Sequence, residues 1–220
     1  TNVSANTISD VDTTGIQIQN GQNCKILYNE ITDVGAAGIY VESNDDIEIT
    51  DNTVQQCSYG IDVASSHRMI VENNILGIGV RGIDASNSLN NSIAENTIED
   101  MTEYGMYLWN IDNSTIVSNQ ISNCSYSAIY FGSVNFLNVS ANTMIGSGME
   151  FYLQGGVNYY NHTLENNQVN SLPLYYGLGE NGESIDANDY GQVILVDCFD
   201  MDINDGSFNN SILYIIYSDE

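Results

Sequence analysis

Along this chain apolar residues alternate with polar ones in short runs, the period-two signature of strands with one buried face. The runs recur at a fixed spacing. An Asn followed by x-Ile/Val, or a close variant, stands at Asn6, Asn29, Asn52, Asn74, Asn96, Asn119, Asn142 and Asn166, at intervals of 23, 23, 22, 22, 23, 23 and 24 residues. A second marker follows most of these: Gly15, Gly38, Gly60, Gly82 and Gly105, then Ala128 and Glu150. Each opens an apolar–x–apolar triplet, as in GIYV, GIDV, GMYL and EFYL. A third alternating segment, such as DIEITDN, leads back to the next Asn.

A fixed period of this length means a solenoid, because one repeat cannot bury its own apolar face and its neighbours must do so. The pattern predicts an all-β, right-handed parallel β-helix of about nine coils, three short strands to a coil. Ile16, Ile39, Ile61, Ile83, Met106, Ile129 and Phe151 fall at one inward position and stack. The Asn positions fall at a bend, where Asn tolerates left-handed backbone and bonds to its stacked copies. A β-sandwich would also alternate, but it has no reason to keep the period over seven intervals. Residues 1–220 read as a single β-helix domain. After Asn166 the next comparable position is Gly206, so approximately 171–192, with turn signals at Glu-Asn-Gly and Asn-Asp, reads as an inserted excursion and the likeliest lateral contact.

Charge narrows the partners. Three Lys and Arg against 29 Asp and Glu give a formal net charge of −26, which repels nucleic acid and anionic membranes. Hydrophobic residues still reach 42%, enough for a core, so the acids read as a solvated face. No apolar run is long enough to span a membrane. Thr1 is not a Met, and the chain reads as processed or excised from something longer.

The Asn-x-Ile and Gly-Ile-x-Val repeats resemble those of the pectate-lyase-like superfamily, and within it the NosD-like and archaeal cell-surface β-helix proteins. The segment LPLYYGLGENGESIDANDYGQVILVDC is similar to an insertion carried by the archaeal members. The resemblance spans nearly the whole chain. It implies the fold and an extracellular or cell-surface location, and it leaves function open, because such repeats serve enzymes, binding proteins and scaffolds.

The two ends match. Joined, they read LYIIYSDETNVSAN, which aligns with Ile39 to Asn52: Leu213 with Ile39, Ile215 with Val41, Val3 with Ile49 and Asn6 with Asn52. Arbitrary trimming, a tandem array and separate subunits stacked head to tail all account for this. The last two make copies of the chain its partner, N-terminal coil on C-terminal coil, a heterologous contact that grows into a filament. At nine coils and ~4.8 Å per coil the axial repeat would be about 43 Å.

Four cysteines suggest disulfides, but the coil positions separate them. Cys57 and Cys124 share one position three coils apart, ~14 Å along the axis and beyond bridging distance. Four free thiols are expected. His67 and His162 stand alone, so a zinc or redox site is not expected, and no cofactor is. The run Asp200 to Gly206 lacks the Gly position and the Glu of a calcium loop and reads as a strand, Met201 and Ile203 inward. Calcium held loosely between acidic coils remains compatible with the composition.

If a surface carries function, it is the outward middle residue of the triplet: Gln17, Tyr40, Asp62, Asp84, Tyr107, Tyr130, Tyr152, then Leu195 and Tyr214, with Trp109 and Glu42 one step along. Asp62, Asp84, Tyr107, Trp109, Tyr130 and Tyr152 are the candidates for binding cell-surface glycans. Two carboxylates on adjacent coils also have the separation of a retaining glycosidase pair. A lyase would need a base as well, and of Lys25, Arg68 and Arg81 only Arg81 lies near Asp84. The same ladder could merely stabilise the sheet. Asn2, Asn90, Asn113, Asn123, Asn138, Asn161 and Asn209 open N-glycosylation sequons. The first functional expectation is a structural cell-surface module stacking into a filament or array, not an enzyme. The alternative is a carbohydrate-binding or carbohydrate-active β-helix protein.

Overall fold

The computed structural model describes residues 1–152, 161–208, 211 and 213–216. It is a right-handed parallel β-helix. One wall is an eight-stranded parallel sheet running from Asn2–Ser4 through Lys25–Leu27, Glu48–Thr50, Ile70–Glu72, Ser92–Ala94, Thr115–Val117 and Asn138–Ser140 to Thr163–Glu165. The other wall is a 14-stranded sheet. In four coils two of the three expected strands merge into a single bent strand: Glu30–Glu42, Thr53–Ala64, Ile75–Leu89 and Thr97–Asp112. The bend shows as a register shift, between Val34 and Ala37 for example. One hydrophobic cluster fills the lumen, with Ile39, Ile61, Ile83, Met106 and Ile129 stacked at less than 1% exposure.

The Asn positions form a buried ladder. Asn52 donates from its backbone N–H and from Nδ2 to Asn74 Oδ1, both at 3.0 Å, and Nδ2 also donates to the Ile26 carbonyl at 2.9 Å. The pattern repeats from Asn6 through Asn29, Asn52, Asn74, Asn96, Asn119 and Asn142. Its last member is Asn167, one residue beyond the expected Asn166. Nor are the ladder residues left-handed. That conformation belongs to the residue before each: Ala5, Tyr28, Asp51, Asn73, Glu95, Ser118, Ala141 and Asn166. The left-handed residue turns the chain, and the Asn then satisfies the donors and carbonyls the corner would leave bare.

The stretch expected as an excursion forms strands. Asn170 and Ser171, at φ 52° and 69°, make a two-residue hairpin, and Leu172–Leu178 returns antiparallel to Gln168–Val169. From there the coil runs the other way. Leu172–Leu178, Gln192–Val196 and Tyr214–Ile216 are parallel to one another, and Ser184–Asp186 pairs with Asp202–Asn204. Partners now lie 18 or 20 residues apart, Leu174 with Gln192, Ser184 with Asp202 and Ile194 with Tyr214, where ladder partners lie 22 to 25 apart. Gln192–Val196 is buried throughout, Ile194 and Val196 in the main core, Val193 and Leu195 in a second one with Ile185 and Cys198. Leu195 is therefore not outward as expected: both faces of its strand are covered, hence the unbroken apolar run. Tyr214, expected outward, has a side chain outside the described structure. Met201 and Ile203 pack against the second core as expected.

Candidate functional site

Three columns of outward side chains climb one face. The middle column reads Gln17, Tyr40, Asp62, Asp84, Tyr107, Tyr130 and Glu150, each in register with the next. Tyr152 is not its top member. Gly148, and not Glu150, takes the small position: the Ala128 N–H donates to its carbonyl. That coil is shortened after Asn142, so Met149 falls where Phe151 was expected and Phe151 stacks on Phe131 at 4.9 Å. Tyr152 reaches the same face beside Trp109, ring centroids 5.3 Å apart.

The second column is Gln19, Glu42, Ala64, Ser86, Trp109 and Gly132. The third, Ala37, Tyr59, Arg81 and Tyr104, lies three residues before the middle one in the later coils. The sequence reading placed Arg81 near Asp84 but missed Tyr59, Glu103 and Tyr104. The signal for Tyr59 and Tyr104 is the residue just before each Gly marker, as in YGID, RGID and YGMY; Glu103 stands one place earlier.

The upper half of this face is aromatic and closed. Tyr107 and Tyr130 stack at 4.9 Å with planes 2° apart, and the Arg81 guanidinium lies 4.1 Å from the Tyr107 centroid. Tyr104 packs against Tyr107, Tyr126 and Tyr130. Tyr130 is only 9% exposed, and its hydroxyl is pushed up to about 12 by burial and its neighbours. Most ring faces here are spent on one another.

The lower half is different. Short side chains, Asp62, Asp84, Ala64 and Ser86, occupy two successive coils between the larger Tyr40 and Glu42 below and Tyr107 and Trp109 above. They leave a notch. Arg81 at its edge is engaged, Nη1 donating to Asp84 at 2.7 Å and Nε to Glu103 at 2.9 Å. Burial raises Asp84, with Arg81 pulling the other way. Asp62 forms no hydrogen bond or ion pair with any described residue. Burial, then the Asp84 charge, lifts its carboxyl to about 6. Chemically the notch offers one tied carboxylate and one free one about a strand spacing apart, ~4.8 Å.

Six of the sequon asparagines, Asn2, Asn90, Asn113, Asn123, Asn138 and Asn161, are exposed; Asn209 lies outside the described residues. The amide nitrogens of Asn113 and Asn123 already donate to Asn90 and Asp100. All four cysteines are free and buried, as expected.

This architecture makes the chain a pectate-lyase-like right-handed β-helix. Its sequence matches the family described as periplasmic copper-binding protein (NosD) over residues 1–177 of 220, and it belongs to that family. Alginate lyase from Paenibacillus sp. str. FPU-7 is similar in fold, with a TM-score of 0.54 and 14% identity over 97% of this chain and 98% of that one. DFA-IIIase from Arthrobacter chlorophenolicus A6, in complex with DFA-III, superimposes with a TM-score of 0.53 and 13% identity over 84% of this chain. The chain spans about half the length of the DFA-IIIase chain, 47%. No curated protein matches by sequence.

The residues present do not fit a copper centre. Copper sites gather imidazole, thiolate or thioether donors around one point. His67 and His162 each accept a backbone N–H at Nδ1, from Leu89 and Leu137, in different coils. Each cysteine thiol donates to the carbonyl two residues before it, and burial pushes Cys57 up and Cys124 up to about 12, which disfavours the thiolate. Met69, Met101, Met106, Met144 and Met149 fill the core. Among the described residues no three His, Cys, Asp or Glu come together as a ligand set.

Proposed function

We propose that the chain is a carbohydrate-binding β-helix protein acting outside the cytoplasm, with the notch around Asp62 and the aromatic rim above it as its binding face. The carrying observation is Asp62, a half-buried carboxylate with no partner, between rows of phenol, indole and carboxylate groups at a constant pitch. A ladder that only stabilised the sheet would gain nothing from an uncompensated acid there. The family's periplasmic description supports the location. The similar folds of alginate lyase and of DFA-IIIase in complex with DFA-III support a carbohydrate reading.

Binding is favoured over catalysis. A retaining pair needs one carboxylate free to attack and one to carry a proton. Asp84 is instead held by Arg81, and Arg81 is held by Glu103, so neither is free as a base. Loosely bound calcium and sugars on the exposed sequons remain part of this proposal. The test is an oligosaccharide-binding screen of the intact chain against Asp62→Asn and Trp109→Ala. Loss of a sugar ligand in both variants, with the fold kept, supports the reading; a chain that binds no oligosaccharide overturns it.

The second reading is a structural module stacked head to tail, favoured by the closed Tyr107–Tyr130 column, which reads as a stabilising ladder. The hairpin at Asn170–Ser171 bears on its geometry. Tyr214–Ile216 runs antiparallel to Thr7–Val11 within one sheet, so a straight stack would bring a following copy in antiparallel. The parallel joint expected from LYIIYSDETNVSAN would need that copy turned over, and a straight 43 Å repeat does not follow. Electron microscopy of concentrated protein, with or without fibres, decides this reading.

A further inference from the structure

The sign of the charge in the notch selects among sugars. Of the three basic residues, Lys25 pairs with Glu48, Arg68 with Asp45 and Asp46, and Arg81 with Asp84 and Glu103. Only Arg81 belongs to this face, and its charge is more than matched. Around the notch stand Glu42, Asp62, Asp84 and Glu103 against that one guanidinium. A uronate brought here would meet carboxylates with no free cation to receive it.

A cationic sugar meets the opposite situation. Asp62 sits on the floor with Ala64 and Ser86 beside it, neither large enough to cover it. An ammonium group on a sugar ring seated between the two walls reaches a carboxylate that makes no hydrogen bond or ion pair with a described residue and feels only the nearby charge of Arg81, itself bonded to Asp84 and Glu103. Charge-assisted hydrogen bonds to a partly desolvated acid are among the stronger polar contacts. The apolar face of the same ring can lie against the Trp109 side of the rim, where an aromatic body favours sugar C–H groups and tolerates nearby positive charge. Asp62 supplies the charge contact; the register of small and large residues supplies the space.

We propose that this face selects glycans bearing unacetylated amino sugars, with the free amine seated on Asp62 between Tyr40 and Trp109, and discriminates against uronates. The proposal rests on the carbohydrate-binding reading above and adds the chemical class of the ligand. No bond is made or broken in it.

The experiment is calorimetric titration of the full chain with three oligosaccharide series of equal length: β-1,4-linked glucosamine, its fully N-acetylated counterpart, and oligomannuronate. Runs at pH 7 and two salt concentrations, with wild type and Asp62→Asn, complete it. The expected result is about ten-fold tighter binding of glucosamine than of the acetylated series, the scale of one charge-assisted contact. That advantage shrinks with salt and disappears in Asp62→Asn. Equal binding of amine and acetamide, preference for the uronate, or an amine preference that survives Asp62→Asn and so reports only the overall negative charge, each overturns the inference and leaves the carbohydrate reading standing. Failure of all three series to bind overturns both. Near-ultraviolet circular dichroism of the variant confirms that its fold is kept.

Discussion

The stack up to Val169 and the reversed coils after Leu172 solve one problem, holding parallel strands in register, by different means. In the long stack every coil contributes a ladder Asn whose amide bonds to the next coil and to its own corner, so the polar groups fix the register. Past the hairpin no further Asn joins that ladder among the described residues. Gln192 makes one comparable tie, its Oε1 accepting from the Met149 N–H at 2.9 Å and its Nε2 donating to the Met149 carbonyl at 2.7 Å. Otherwise the reversed coils rely on Gln192–Val196, buried on both faces. Ladder partners lie 22–25 residues apart; past the ladder, strand partners lie 18 or 20 apart.

The sharpest way to break this contrast is to cut the ladder in mid-stack. Asn96→Ala deprives the buried backbone N–H of Asn74, at 3.1 Å, of its acceptor, while Asn74 Nδ2 keeps the Ile49 and Glu72 carbonyls. At about 2 kcal/mol for the orphaned donor, and about 1 kcal/mol for each of the bonds lost from Asn96 Nδ2 to the Val71 carbonyl and Asn119 Oδ1, denaturant unfolding should show a loss of about 4 kcal/mol. Leu195→Ala empties part of the second core and should cost about 3 kcal/mol. Hydrogen exchange should show that loss concentrated after Leu172, with the ladder coils still protected. Equal loosening of both regions would mean that they are one cooperative unit.

Asp62→Asn should act in the opposite direction. Burial lifts the Asp62 carboxyl to about 6 in the folded chain, above its ordinary 3.8, so between those values the folded state holds the extra proton and stability falls as pH rises. Below both values the variant and wild type should be equally stable. Above 6 the variant should be more stable by about 2 kcal/mol, allowing for partial solvent access. Unfolding curves at about pH 3 and about pH 8 give the comparison, and an effect of the same size at both would remove the desolvated charge from the account. The smallest effect belongs to the hairpin. Ser171 holds φ 69°, which glycine adopts without strain, so Ser171→Gly should stabilise by under about 1 kcal/mol.

The contrast also explains what could be read in advance. The 22–24-residue period reveals the coils, the inward column from Ile16 to Ile129 and the register of Asp62 on Asp84, because each depends on a repeating pattern. The errors cluster where the pattern changes. Asn166 was confused with Asn167 because both are Asn and only tertiary contact distinguishes the left-handed residue from the ladder residue. Tyr152 was misplaced because the shortened coil after Asn142 cannot be seen without the pairing of Gly148. Leu195 was read as outward because alternation cannot reveal a strand buried on both sides. In the site, the acids were visible, but the engagement of Arg81 by Glu103, which leaves Asp62 alone, depends on a column offset by a bend.

The ladder has a kinetic consequence. Its partners lie 22 to 25 residues apart, about a tenth of the chain, whereas sandwich sheets join segments far more distant in sequence. Folding rate falls as the sequence separation of contacts grows, so this protein should fold quickly for a chain built almost wholly of strands. Each coil needs only the one before it as a template. The stack can therefore advance a corner at a time while its later residues are still being synthesised, and the Gln192–Met149 tie, spanning 43 residues, is a step that must wait.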